Sequence, residues 1–223
     1  DIDYENYEND GILKLSIFKN TYSVIISLKQ LIDLDYLPSM RQAKHKVNHI
    51  MVCPDGSKIM FMHRWVSLAG KRYDRLLIAN ADGGNIKIVC DNEMVSHCTW
   101  KNNETIIGYL RYNGEDNFYQ INIERNEIKY LSEKLNSFGD GHPTIINNKM
   151  IFDTYPDRSR MKKLYVYDLD VNKVIFIAEF FESLNFYNQT RCDLHPRFNA
   201  DTSVIYFDSV HYGKRKLYKI ELE

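Results

Sequence analysis

The sequence predicts an all-β protein, a β-propeller of four-stranded antiparallel blades. Three observations point there. Four of the seven histidines, His49, His97, His142 and His195, recur 48, 45 and 53 residues apart, each at the head of a short β-like run. Behind each histidine the apolar runs group in fours, separated by tight polar turns, and four-stranded meanders repeating every ~45 residues are propeller blades. Sixteen Tyr and eleven Phe against ten Gly and five Pro suit a strand-rich globular chain.

The elements follow in order. "GILKLSIFKNTYSVIISL" reads as the last two strands of an earlier blade, turning at Lys19-Asn20. "LKQLIDLDYL", residues 28–37, has a helical pattern and fits a short insertion. The first full blade runs "HIMV", "KIMFMHRW", "DRLLIANADG" and "NIKIVCD", with the hairpin signal Asp55-Gly56 between its first two strands. The second runs "HCTW", "TIIGYLRY", "NFYQINIERN" and "EIKYLS", turning at Asn102-Asn103. The third runs "HPTI", "KMIFDTY", "KKLYVYDLDVN" and "KVIFIAEF", turning at Asn147-Asn148. The last has three strands, "HPRF", "SVIYFDSV" and "RKLYKIEL", with its first turn at Asn199 to Asp201. The total is about 4.5 blades, which reads as one propeller domain over residues 1–223, the C-terminal portion of a larger ring.

Composition narrows the function classes. With 29 basic and 30 acidic residues there is no field for nucleic acid or an anionic membrane surface. No apolar run approaches the ~20 residues of a membrane span. The four cysteines show no metal or redox spacing, so they read as reduced, buried thiols and lean toward a cytoplasmic home. The start, "DIDYENYEND", reads as an entry point into a longer chain, which leaves secretion open. Oligomeric state is not legible.

Blade repetition turns a sequence period into a cluster in space, because first strands line the channel and enter it from one face. The second strand returns to the same face. His63, Arg64, Arg111, Asp153, Tyr155, Asp208 and His211, at second-strand ends, are therefore expected near the four histidines, with Arg191 and Asp193 from the entering loop. The competing reading is that each histidine braces its own turn by hydrogen bonding an Asp.

The blocks "DGHPT", "FDTYPDR", "RCDLHPRF" and "FDSVHYGKRKLYKIEL", with upstream "NHIMVCPDGSKIMFMHRW", resemble a bacterial family of TolB-like propellers related to oligogalacturonate lyase. The likeness runs from about residue 47 to the end. It implies a seven-bladed ring, a carbohydrate context, and β-elimination on uronic-acid oligosaccharides with a divalent metal held by histidines.

Such an elimination needs a cation to neutralise the uronate, a base for the acidified C–H, and an acid for the leaving oxygen. The expected roles are His49, His195 and His211 as metal ligands for Mn, Fe, Ni or Zn, and His142, His97, Tyr155 and Arg191 as catalytic groups. Arg64, Arg111, His63 and Asp153 are expected to bind an acidic oligosaccharide, with Asp153, Asp193 and Asp208 also able to orient imidazoles. The alternatives are a non-catalytic propeller binding a glycan or protein partner, and a hydrolase using Asp153 and Asp208.

Overall fold

The computed structural model describes residues 6–222. The chain packs as two compact units, one ending at Val95 and one beginning at Ser96.

The first unit opens with a hairpin of β1 (Gly11–Ser16) and β2 (Thr21–Ser27). Ser27 then caps helix α1 (Leu28–Leu34): its hydroxyl accepts from the Gln30 amide, and the Gln30 side chain accepts from the Ser27 amide. This reciprocal cap satisfies two amides the helix cannot pair itself and explains why a seven-residue helix forms here. β3 (Lys44–Val52), β4 (Lys58–Val66), β5 (Arg72–Asn80) and β6 (Lys87–Cys90) form an antiparallel meander in chain order. Ile59, Phe61, Leu77 and Ala79 of its central strands pack with Ile12, Ile26 and Leu31 into one core.

β3 departs from expectation. It starts at Lys44, not at His49, and its register slips between Asn48 and Met51, with His49 at a positive φ of 52°. The reading of a strand opened by His49 therefore shifts to a long strand with a bulge at that histidine, which re-aims the side chains around it. His45, in what the sequence suggests is a solvated basic loop, is a half-buried strand residue.

The second unit contains two further four-stranded meanders and a three-stranded one. The first comprises β7 (Val95–Asn102), β8 (Thr105–Tyr112), β9 (Glu115–Asn122) and β10 (Glu127–Tyr130). Its first turn centres on Asn103 and Glu104, one residue later than expected, because the Asn102 side chain accepts from the Glu104 amide. The second comprises β11 (Thr144–Ile146), β12 (Lys149–Asp153), β13 (Met161–Asp168) and β14 (Lys173–Phe181). Asn147 and Asn148 both take positive φ between β11 and β12, as a two-residue hairpin requires. The third comprises β15 (Arg197–Phe198), β16 (Val204–Ser209) and β17 (Lys216–Glu221). Ile151, Leu164 and Val166 pack against Leu194, Phe198, Ile205 and Phe207, so one core joins these last two sheets.

Among the described residues, two strands, three whole meanders and three strands match the count read from the sequence. Consecutive antiparallel meanders of this kind are the blades of a β-propeller.

Candidate active site

Three of the four recurring histidines meet in the second unit. The ring centroids of His97 and His142 are 4.0 Å apart, and those of His142 and His195 are 4.2 Å apart. His97 sits in β7, while His142 and His195 stand two residues ahead of β11 and β15. Equivalent positions in successive blades thus become neighbours in space.

A carboxylate stands behind each ring. His97 Nδ1 pairs with Asp140 at 3.0 Å, and His142 Nδ1 with Asp153 at 2.9 Å. His195 Nδ1 has a looser partner, Asp208, at 3.9 Å. A carboxylate at Nδ1 sets the tautomer and leaves Nε2 as the nitrogen available to a ligand.

Asp153 is the hub. One oxygen accepts from the His142 backbone amide and ring, the other from the amides of Leu194 and His195 at 3.0 and 3.2 Å. A single side chain therefore holds the starts of two blades in register. Gly141 is needed for this approach, since a Cβ there would lie 1.9 Å from the Asp153 carbonyl oxygen. Asp153 is 1% exposed, with four donors on its carboxylate. That moves it from substrate contact to bracing, and equally removes it from a hydrolytic pair.

Asp193 is supported from beneath. Lys162, 1% exposed, donates to Asp193 Oδ1 at 3.1 Å, to the Cys192 carbonyl at 2.8 Å, and to Glu182. Arg160 closes the network by donating to the second Glu182 oxygen at 2.9 Å. Arg191 donates to Asp193 Oδ2 at 2.9 Å and lies 4.9 Å above the Tyr155 ring. Burial would raise the Asp193 pKa, but the charges of Lys162 and Arg191 outweigh it and hold the carboxyl below its usual range.

The imidazoles differ in their electrostatics. Burial pulls the His142 pKa down, yet the hydrogen bond and charge of Asp153, with Asp193 and Asp140, carry it above the ordinary value. His195 goes the other way, lowered by burial and by His142 beside it. Burial, then Asp140 and Asp193, push the Tyr155 phenol up to about 12, so it remains a proton donor at neutral pH.

Among the described residues, His142, Asp193 and His195 form the one group able to hold a metal ion, with ligand atoms within 4.8 Å of one another. The set fits a divalent transition metal: two imidazoles, and a carboxylate whose Oδ1 keeps a lone pair beyond its bond from Lys162, while Arg191 occupies Oδ2.

The other expected site residues have surroundings of their own. His211 pairs with Ser209 at 2.7 Å and sits in a nest with Phe180, Tyr212 and Tyr218, outside the metal-capable group. Arg111 is bound through two nitrogens to Asp116. His49, Arg64 and His63 belong to the first unit. His49 is exposed at its bulge, and Arg64 neutralises the buried Asp74. His63 is 0% exposed, between His45 at 2.9 Å and Arg75 at 3.2 Å, so it offers no surface to a substrate.

No family model and no curated protein matches the chain. Solved structures do. TolB from Acinetobacter baumannii aligns at TM-score 0.57 and 14% identity, over 79% of this chain and 41% of its own. An oligogalacturonate lyase in complex with manganese aligns at 0.58 and 12%, over 96% and 72%. The oligogalacturonate lyase of Vibrio parahaemolyticus aligns at 0.55 and 12%, over 95% and 72%. The fold is that of the TolB-like β-propellers.

The chain thus spans less than half the length of that TolB and about three quarters of the lyases. Among its described residues, no helix is long and apolar enough to cross a membrane. Sequence reading missed three parts of the site: Asp140, Lys162 and Glu182. Lys162 had a signal, because it shares the strand parity of Leu164 and Val166, both buried; a charge on a core-facing position needs partners. Asp140, two residues before His142, had no comparable mark.

Proposed function

We propose that this propeller acts on acidic oligosaccharides, by metal-assisted β-elimination at a site built on His142, Asp193 and His195. The observation that carries the reading is the contact of three imidazoles from three blades, each with a carboxylate near Nδ1. Bracing alone accounts for each His–Asp pair; it does not account for the rings meeting one another or for the metal-capable trio.

A divalent cation held there would supply the charge that neutralises the uronate and acidifies its adjacent C–H. Arg191, with its side chain 44% exposed, reaches toward the same carboxylate as a second positive group. His97, next to His142 but outside the metal-capable group, is the base that takes the C–H proton. As the C=C forms, the C–O bond to the neighbouring sugar breaks. Tyr155, 6.0 Å from His142 and kept neutral, donates its proton to the departing oxygen.

The test combines elemental analysis of the purified protein with an absorbance assay for unsaturated uronides over a panel of acidic oligosaccharides. Bound metal with a rising signal supports the lyase. Metal-free protein that binds glycan without product would replace this reading with a binding module, which the double ion pairing of Asp193 would then serve.

A further inference from the structure

The same unit carries a second concavity whose chemistry is the reverse of the histidine site. It has a volume of about 640 Å³, and three tyrosines, two glutamates and Asn136 are among its lining residues. Tyr112 and Tyr119 meet at 5.7 Å and 71°, and Tyr119 and Tyr130 at 6.0 Å and 68°. Successive rings thus stand nearly perpendicular, as the walls of a corner.

Two of the three phenols are already engaged. The Tyr119 hydroxyl lies 3.2 Å from the Tyr112 and Glu115 carbonyl oxygens, and the Tyr130 hydroxyl donates to Asn136 Oδ1. These bonds hold Tyr119 and Tyr130 in place; Tyr119, 4% exposed, backs the corner, so the ring surface offered to a ligand is that of half-buried Tyr112 and exposed Tyr130. Two carboxylates, Glu115 and Glu133, line the same space, and among the described residues no Lys or Arg does. Among the described residues no ion pair engages either one, while neighbouring Asp116 is neutralised by Arg111. Lys134, next in the chain to Glu133, is not among the lining residues.

Ring faces carry negative potential and attract cations, and uncompensated carboxylates add to that attraction. A uronate would be repelled. A neutral sugar would use the rings but gain nothing from the charge. We propose that this cleft binds an organic ammonium group, either a free amine or a lysine side chain. It is independent of the histidine site, since none of its residues belongs to that constellation.

Tetramethylammonium titrated into the full chain by NMR at constant ionic strength, with sodium as the control, tests the shared chemistry. The expected result is saturable shifts confined to the cleft, weakened about tenfold by Tyr130→Ala and by the pair Glu115→Gln with Glu133→Gln, and unchanged by His195→Ala. These are surface substitutions, and each variant's spectrum reports whether it is folded. Spermidine and a short lysine peptide then distinguish the sources; stronger binding of either than of tetramethylammonium supports the assignment. Shifts no larger than with sodium, or equal affinity in all variants, overturn it. Saturation by a neutral disaccharide but not by tetramethylammonium also overturns it, reassigning the cleft to sugar.

Discussion

The two units each bring imidazoles into contact, to opposite ends. In the first, His63 is fully buried and its Nδ1 accepts from Arg75, a cation. Its Nε2 hydrogen then points to His45 Nδ1, and the His45 Nε2 hydrogen to the Met40 carbonyl. Arg75 also donates to the carbonyls of Leu31 and Asp35, which joins the end of α1 to the sheet. Burial and the Arg75 charge push the His63 pKa down to about 2, and burial lowers His45 as well. In the second unit the partners at Nδ1 are carboxylates and the rings are partly exposed. Burial and the charge behind the ring together set the difference: deep burial beside a cation keeps His63 neutral and structural, whereas Asp153 carries His142 above its ordinary value despite burial.

The largest effect is expected at the hub. Asp153→Ala strands four donors and should cost about 4 kcal/mol or more, read by urea denaturation, with loss of any metal uptake. Retained stability would mean that the blade starts do not depend on this carboxylate. Lys162→Met leaves Glu182 and Asp193 without their buried cation and should cost about 3–5 kcal/mol. Lys162→Arg, which restores the charge, should recover part of both stability and metal affinity.

His195→Ala removes one candidate ligand at a partly exposed position. Metal affinity should fall about 100-fold or more, with the thermal midpoint of the metal-free protein nearly unchanged. Unaltered metal content would remove the group from consideration.

The pH response sharpens the comparison further. His63 is neutral in the fold and has an ordinary pKa when unfolded, so the unfolded chain binds more protons below about pH 6.5. Its contribution to stability is complete above that pH and is lost as pH falls toward 2, by about 1.4 kcal/mol per unit once well below 6.5. His63→Gln should flatten this slope between pH 6 and 4, whereas a slope unchanged by the substitution would show that other groups set it. The smallest effect is expected for Arg111→Ala, about 0.5–1 kcal/mol, since the Arg111–Asp116 pair is substantially exposed.

Legibility followed the reach of each interaction. The strand count, most of the hairpin turns and the insertion at α1 rest on patterning over a few residues, and these were readable. The convergence of His97, His142 and His195 was also readable, because repetition carries a local position into a spatial one. Roles within the cluster were not. Within the second unit the metal-capable trio retained His195 from the expected ligands, gained His142 and Asp193, and left out His211. The His49 bulge and the aromatic nest of His211 depend on packing that a period does not encode.

Local alternation and turn chemistry, written into the chain itself, determined that this protein is built of antiparallel meanders headed by histidines. Only the tertiary structure decided which charge stands behind each ring, because Asp140 meets His97 across 43 residues and Arg75 meets His63 only once their strands pair. An imidazole's behaviour depends on field and solvation at its nitrogens, and those exist only once the chain has closed around it.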